Sequence, residues 1–560
     1  MPEYLKLKQS NCKNCYKCIR HCPVKSIQFS GQQANIIDNE CVLCGQCFVV
    51  CPQNAKEIRD DVAQAQALLA GGAPVYASVA PSFAANFPGA TISGMTGVLR
   101  GLGFAGAEET AVGATMVKAL YDEMIEREAQ EVIISTCCPT VNLLVQKYYP
   151  AALPYMAPVL SPMQAHCLDL RRRYPGAKTV FIGPCIAKKA EAESGGEMVD
   201  CVLTFEELSR WLGEGAGELA APEAPNENSR ARFFPTVGGI LRVMEKRNHR
   251  YAYIAVDGLE NCERMIADVL RGKTGPCFIE MSACAGSCVG GPAMSQTQRQ
   301  RTPVRDYIAI ANYAGSGDFP ATVYPAAALA KTLPSLAARP VALGTEAINA
   351  VLAKIGKTKP EDELNCGSCG YNTCREKARA VLEGKATLTM CLPYLKERAE
   401  SFSDSIIGNT PNGIVVLNES FEVQQINAAA CRLMNIRDKR DIMGDHVVRI
   451  LDPTPFIDAG QKREGSFERR VYLADYQKYV DQTVIYDREY HIIICIMRDV
   501  TDETLRQSAR EEFNRQAVEI TDKVIEKQMR AVQEIASLLG ETTAETKVAL
   551  TKLKESLSDA

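Results

Sequence analysis

Residues 132–140 read VIISTCCPT and residues 179–185 read TVFIGPC, two apolar runs that each end in cysteine. Open α/β sheets present ligands in the loops that follow their strands. Runs of this kind alternate with helical stretches from PVYASVAPS at 74–82 onward, which predicts an α/β domain over residues 73–350. A third segment, MSACAGSCVGGP at 281–292, adds Cys284 and Cys288, and GPCIAKKAE at 183–191 places Lys188 and Glu191 after Cys185. The C-x-x-K-x-x-E spacing sets a positive charge beside a thiolate-rich, anionic site. Cys284 and Cys288 are four apart, which on a helix stacks both thiolates on one face. Cys137 and Cys138 are adjacent and point in different directions, so they do not both serve as simple ligands of one centre. The segments together predict one metal site assembled from three loops.

The three segments resemble the signature loops of FeFe hydrogenases. The resemblance implies that Cys138, Cys185, Cys284 and Cys288 hold a 4Fe-4S cluster. It implies that Cys288 also bridges to a diiron subsite bearing CO, cyanide and a dithiolate bridge, where dihydrogen is split or made. It further implies a proton-relay thiol at Cys137 and, at Lys188, a lysine that hydrogen-bonds a cyanide. PTVGGIL at 235–241 resembles the family's glycine-rich segment near the active site and reads equally well as a tight turn. The chain departs from typical members in the shell around the iron. Methionines expected two residues before the second-loop cysteine and before the third-loop A-C are replaced by Gly183 and Ser282. Glutamates expected on the helix before the CC pair fall near Leu120 and Tyr121, with Asp122, Glu123 and Glu126 close by. Such outer contacts tune a metal centre, so slow turnover is expected.

The whole chain, 560 residues, is long enough for several domains. Its net charge of -4, from 63 basic and 67 acidic residues, makes no electrostatic case for nucleic acid or membrane. Most of the 23 cysteines fall in tight clusters, which suits metal binding in a reducing cytosol better than disulfides. MPEYLKLKQSNC has no apolar core of signal-peptide length and no run reaches membrane-spanning length, so a cytoplasmic protein is expected.

Residues 1–60 duplicate one motif. Cys12, Cys15, Cys18 and Cys22-Pro23 recur as Cys41, Cys44, Cys47 and Cys51-Pro52, the C-x2-C-x2-C-x3-C-P run of two-cluster ferredoxins. There the fourth cysteine serves the other cluster, giving the sets Cys12, Cys15, Cys18, Cys51 and Cys41, Cys44, Cys47, Cys22. Zinc is the alternative occupant. Ile27 to Phe29 and Ile36-Ile37 supply short strands. Residues 355–400 carry Cys366, Cys369, Cys374 and Cys391 at a spacing that resembles a small 4Fe-4S module, again with zinc as the alternative.

Residues 403–503 resemble a PAS domain: NGIVVLNESFEVQQIN reads strand, turn, strand, AAACRLMNI reads helix, and EYHIIICIMRDVTDE reads as a last strand. His446 and His491 read as ordinary histidines, and Cys431, Cys495, Cys167, Cys201, Cys262 and Cys277 as core thiols. The stretch at 213–230, poor in large apolar residues, reads as a surface insertion. In the helical segment 504–560, Val518, Ile525, Val532 and Leu539 recur every seven positions, as in a coiled-coil seam. Gly540 then reads as a stop, and Thr542 with Glu545 as a capping box for a helix bearing Leu550, Leu553 and Leu557.

The expected fold is a multidomain α/β and α+β chain: a ferredoxin-like two-cluster domain, an FeFe-hydrogenase α/β core, a 4Fe-4S module, a PAS domain and C-terminal helices. The expected activity is that of a hydrogen:acceptor oxidoreductase of the sensory type. The resemblance implies H2 and protons as substrates, a redox partner protein such as ferredoxin, a downstream signalling protein and a homodimer formed through the PAS and helical segments. The alternatives are a metabolic hydrogenase whose PAS domain is a docking scaffold, or a non-catalytic iron-sulfur protein on the same scaffold.

Overall fold

Strands buried on both faces need near-continuous apolar sequence, and the runs VYASV, TVFIG and CFIEMS meet that need. In the computed structural model they form two parallel sheets. The first has the order Gly106–Glu109, Val75–Val79, Lys178–Gly183, Cys201–Thr204; the second has the order Ala252–Asp257, Cys277–Ser282, Val132–Ile134. Every residue of Cys277–Ser282 and of Val132–Ile134 is buried. The structure describes residues 4–8, 11–128, 130–213, 219, 229–294, 303–337, 343–462, 466–539 and 544–558. Nearly all of the expected insertion at 213–230, and the expected stop at Gly540 with its partner Thr542, lie outside the described residues.

Each of the three cysteine loops leaves the C-terminal end of a parallel strand. Val132–Ile134 feeds Cys137 and Cys138, Lys178–Gly183 feeds Cys185, and Cys277–Ser282 feeds Cys284 and Cys288. Backbone hydrogen bonds then lace the loops together. Ala293 N–H donates to Pro184 O at 3.1 Å, Val289 N–H donates to Pro235 O at 3.1 Å, and Met281 N–H donates to Ser135 Oγ at 3.2 Å. The expected helical stacking of Cys284 on Cys288 is not what forms. Cys284 lies in a bend and Cys288 in a short 3-10 turn, Ser287–Gly290, entered through Ser287 at φ 63°. The turn is so tight that a Cβ at Gly290 would stand 2.0 Å from Ala285 O, a closeness that only glycine allows.

The ferredoxin-like part pairs Leu5–Leu7 with Lys56–Ile58 and Ile27–Ser30 with Gln33–Ile36, both antiparallel. Its second half presses on the cysteine loops: a Cβ at Gly45 would stand 2.5 Å from Pro292 Cβ and 2.9 Å from Ile186 Cδ1. The segment holding Cys366 to Cys391 packs on the ferredoxin part as well. Phe29 N–H donates to Lys385 O at 2.8 Å, Gln28 Nε2 to Gly384 O at 2.9 Å, and Lys25 Nζ to Gly370 O at 3.1 Å. Helix Thr345–Lys354 shares an apolar cluster with helix Cys374–Leu382 through Ile348, Val351, Leu352 and Ala378. This helix thus buries its apolar face against the cysteine module.

A second compact unit spans residues 395–560. Its five-stranded antiparallel sheet has the order Val423–Ile426, Gly413–Leu417, Ile492–Asp499, Lys478–Asp487, Ser466–Leu473. Alternating residues, among them Val415, Leu417, Val484, Ile493 and Cys495, make the core. Helix Thr501–Leu539 follows, and Ala544–Ser558 packs back on it with Lys554 paired to Asp522 at 2.9 Å. Val518, Ile525 and Val532 are half-buried, whereas Leu553 and Leu557 are exposed. Among the described residues no helix is long and apolar enough to cross a membrane.

Helix Ala111–Glu126 is held against helix Pro162–Arg173 by one glycine: a Cβ at Gly113 would stand 2.2 Å from Pro162 O and 2.8 Å from His166 Cβ. Gly113→Ala is expected to force the helices apart at a cost of about 3 kcal/mol, lowering the thermal midpoint of the first unit by roughly 5 °C. Gly97→Ala, in a helix with nothing near its Cβ position, is the control and should be neutral or slightly stabilising. Equal midpoints for the two variants in calorimetry would sink the close-contact account.

Candidate functional site

The loops enclose a cavity walled by Cys137, Cys185, Cys288 and Lys188, with Ala80, Pro81, Ser82, Thr110, Ala111, Ala114, Pro162, Met163, Phe181, Pro184, Phe234 and Pro235. Cys138 and Cys284 complete a nest of four thiols with Cys185 and Cys288. Burial pushes the Cys185 and Cys288 thiols up to about 12, and the thiols raise one another further. Burial likewise pushes Cys284 well above the ordinary range and raises Cys138. A protein interior this hostile to lone thiolates suits ligands whose charge a metal neutralises.

Lys188 and Glu191 lie on helix Ala187–Ser194, which starts directly after the second loop. Lys188 Nζ donates to Glu191 Oε2 at 2.6 Å and to Cys137 O at 3.3 Å. Glu191 also accepts from Ser161 Oγ at 3.0 Å and from Lys331 Nζ at 2.5 Å. Burial alone would raise the Glu191 carboxyl; Lys188 and Lys331 outweigh it and hold the group at about 2. Lys188 is lowered by burial and raised more by Glu191, ending above the ordinary lysine range. The cavity wall therefore keeps a fixed positive charge.

Cys137 stands beside the nest. Its thiol, pushed up to about 12 by burial, shares a hydrogen bond of 3.3 Å with the Tyr121 hydroxyl, which also accepts the Thr136 N–H at 3.1 Å. Tyr121 thus occupies the place where the resemblance led one to look for an acid. The neighbouring acids point away. Asp122 accepts the N–H groups of Glu245 and Lys246 at 3.2 and 3.1 Å, Glu123 pairs with Arg127, and Glu126 pairs with Lys246.

Two features escaped sequence reasoning. Glu280, buried in the middle of the Cys277–Ser282 strand, accepts N–H bonds from Ile240 at 2.9 Å and Leu241 at 3.1 Å. The PTVGGIL segment is therefore both a tight turn and a cradle, with Gly238 at φ 72° starting the helix whose amides face this carboxylate. Burial raises Glu280 to about 7 in spite of those amides, and its charge raises Cys137 in turn. The available signal was an acid inside an otherwise apolar strand that feeds a cysteine loop. The second feature is Phe181. Any side chain at Gly183 would meet its ring at 2.7 Å and Ala80 Cβ at 3.1 Å, so the aromatic fills the space a methionine would take. Ser282 O accepts the Gly258 N–H at 3.0 Å and the Cys262 thiol at 3.5 Å.

Three further cavities are lined by cysteines. One gathers Cys12, Cys15, Cys18 and Cys51, the second Cys22, Cys41, Cys44 and Cys47, the third Cys366, Cys369, Cys374 and Cys391. Among the described residues no three His, Cys, Asp or Glu side chains converge on the position of a single metal ion. The sulfurs surround voids, a donor set that fits a four-iron cubane. Cys44 is near enough to Cys284 for each charge to be felt by the other, and Lys25 lies beside both Cys22 and Cys369. Cys167, Cys201, Cys262, Cys277 and Cys495 are buried and Cys431 is half-buried. His446 Nδ1 accepts the Val448 N–H at 3.2 Å, and His491 is exposed and pairs with Glu419 at 3.0 Å.

Residues 73–292 match the family described as "Iron only hydrogenase large subunit, C-terminal domain", residues 4–52 the "4Fe-4S dicluster domain" and residues 362–393 "Putative Fe-S cluster". Among curated relatives, the NADP-reducing hydrogenase subunit HndD of Solidesulfovibrio fructosivorans is 24% identical over 46% of this chain and 56% of its own length. The periplasmic iron hydrogenase large subunit of Nitratidesulfovibrio vulgaris is 24% identical over 51% of this chain and 85% of its own. The cytosolic Fe-S cluster assembly factor NAR1 of Yarrowia lipolytica is 26% identical over 33% of this chain and 44% of its own. The chain thus spans about half the length of two of these three relatives.

Glu280 carries a pH signature. Its folded value, near 7, lies above the ordinary carboxyl value near 4.5. The fold therefore resists its ionisation, so stability is lost as pH rises from the lower value to the higher and then levels off. Glu280→Gln should stabilise the first unit by about 3 kcal/mol at pH 8 and by little at pH 4. A thermal-shift gain that is the same at both pH values would refute the raised carboxyl.

Proposed function

We propose that this chain, an iron-sulfur protein of the FeFe-hydrogenase-like family, would hold a 4Fe-4S cluster on Cys138, Cys185, Cys284 and Cys288 and a diiron subsite in the adjoining cavity, with Cys288 the residue that would hold both. When bound, the diiron group supplies the site at which dihydrogen is interconverted with protons and electrons. The observation that carries this reading is the placement of Cys137 and Lys188 on the cavity wall, beyond the four-thiol nest. A plain four-iron cluster needs neither a protonated thiol nor a fixed cation on that side.

The chain's own residues then divide the work. Lys188, kept cationic by Glu191, offers N–H donors to an anionic ligand in the cavity. Met163, Phe181, Phe234 and Ala114 exclude water. Cys137 holds a proton at Sγ in a hydrogen bond with the Tyr121 hydroxyl, and Glu280, whose charge is felt at Cys137, supplies an acid whose value near 7 lets it both take and give a proton. Burial makes Cys137 a reluctant donor, which supports slow turnover. The ferredoxin sets Cys12, Cys15, Cys18, Cys51 and Cys41, Cys44, Cys47, Cys22, with Cys366, Cys369, Cys374 and Cys391, form an electron path serving a redox partner such as ferredoxin. Residues 403–503, whose strand order supports a PAS reading, and the following helices report the redox state to a signalling protein, as a cytoplasmic homodimer.

A second reading, an iron-sulfur protein on this scaffold that never receives the diiron subsite, is favoured by Phe181 in the space next to Gly183 and by the relative described as an assembly factor. Infrared bands of metal-bound CO and cyanide in protein matured with the diiron precursor separate the two readings.

Cys137→Ala is expected to leave iron content unchanged and to cut hydrogen turnover at least a hundredfold, whereas Cys138→Ala should lose cluster iron. Iron loss as large in Cys137→Ala would overturn the relay assignment. For the sensory reading, hydrogen-deuterium exchange within residues 403–560 should differ between hydrogen and an inert gas, and Cys369→Ala should erase the difference while leaving hydrogen oxidation largely intact. Identical exchange under the two gases would make this region a docking platform.

A further inference from the structure

Cys137 and Tyr121 approach the cavity from one wall residue; a separate chain of hydrogen bonds reaches it at another, Thr110. Thr110 Oγ1 stands 2.8 Å from Ser78 Oγ, and Ser78 Oγ stands 2.8 Å from His166 Nδ1. His166 Nε2 lies 3.4 Å from Glu108 Oε2. The His166 side chain is 0% exposed and that of Glu108 29%, so the chain runs from the cavity wall to solvent through the interior. Ser78 and Thr110 are both buried. Arg173 clamps Glu108 with two bonds, at 2.9 and 2.5 Å. Gly113 lets its helix pack closely on His166, where an added Cβ would stand 2.8 Å from His166 Cβ. Ser78 and Thr179 also face the Cys167 sulfur, a weak acceptor outside the line.

We propose that Thr110, Ser78 and His166 form a second proton route, which carries protons out of the cavity during hydrogen oxidation and ends at the solvent-facing Glu108. The proposal rests on the hydrogenase reading above.

The donors can be oriented from chemistry alone. Burial would raise the Glu108 carboxyl, but hydrogen bonds from His166 and Arg173 outweigh it and hold the group near 2. Glu108 is therefore an acceptor only, and the neutral imidazole places its proton on Nε2. Nδ1 is then the acceptor, so Ser78 donates to it and Thr110 donates to Ser78. Every donor points outward. A proton taken up at Thr110 Oγ1 displaces the threonine proton to Ser78 and the serine proton to Nδ1. The imidazolium so formed releases its Nε2 proton to water along the Glu108 carboxylate. One proton enters and one leaves, and the imidazole is left protonated on Nδ1; hydroxyl rotation together with return of the ring to its Nε2–H tautomer restores the chain. A buried histidine kept for packing alone requires partners for its ring, but no hydroxyl line leading from it to the cavity.

Two measurements test the route. In histidine-labelled protein carrying its iron-sulfur clusters but no diiron subsite, nitrogen chemical shifts should show His166 protonated at Nε2. An Nδ1-protonated ring would overturn the orientation. In matured protein, Thr110→Val, which keeps shape and loses the hydroxyl, should slow hydrogen oxidation roughly tenfold with an unchanged KM for hydrogen. It should also remove the residual turnover of Cys137→Ala. Thr110→Ser should retain the native rate and solvent isotope effect. If matured native protein turns over and Thr110→Val is as fast, the route is wrong while the hydrogenase reading stands. If native protein with CO and cyanide bands absent shows no turnover, that reading fails and the route with it.

Discussion

Everything at the site depends on one buried chain of charge, Lys188 to Glu191 to Lys331. The second cysteine loop is short, and the helix that follows it carries both Lys188 and Glu191 into the interior. Removing water from three ionised groups is costly, and their mutual attraction offsets that cost only when each is well bonded. Glu191 meets the condition with Lys188, Lys331 and Ser161 as donors. Loss of the carboxylate would leave Lys188 buried without its counter-charge, a penalty of about 3–5 kcal/mol. The same ion chain fixes the cation that faces the thiols, so the stability of the second loop and the electrostatics of the cavity have one origin.

The glycines at the joints of the sulfur cages follow from a related demand for closeness. Gly45 brings the second ferredoxin cage against Pro292 and Ile186, residues of the two loops beside the nest. Gly370, at φ 91°, lets the third cage approach the first closely: a Cβ there would stand 3.0 Å from Ile19 Cβ. Lys25 binds the carbonyls of Ile19, Arg20 and Gly370 together, a cation at the seam between cages that become anionic when filled. The module that follows the core in sequence is therefore a neighbour of the ferredoxin part in space. That placement supports an electron path whose outer end can lie at the module.

What could be read in the sequence was whatever chemistry forces into short local patterns. The cysteine spacings, the strands that end in them and the alternating strands after 413 all obey local rules, and each appears where those rules put it. Contacts made across the chain were not legible. Phe181 explains Gly183 only once its ring is seen turned into the neighbouring space, and Glu280 meets its amide donors 40 residues away. The helical reading of Cys284 and Cys288 failed because spacing alone ignores the glycines at 286, 290 and 291, which favour a tight turn. Chain order likewise hides which neighbour buries the apolar face of Thr345–Lys354.

Proton handling shows why these cross-chain contacts matter for rate. A carboxylic acid beside Cys137 would exchange protons readily at neutral pH. Tyr121, fully buried and raised well above the ordinary phenol range, cannot ionise there and can only pass a proton through while accepting another. Transfer along hydroxyls requires each rotor to reset before the next proton moves, whether at Tyr121 or at Ser78 and Thr110. Glu280, poised near 7, restores one titrating group to the Cys137 side, but it is itself bound by backbone amides that favour its anionic form. The groups beside Cys137 thus differ in kind: Tyr121 holds its proton, and Glu280 can gain or lose one near neutral pH.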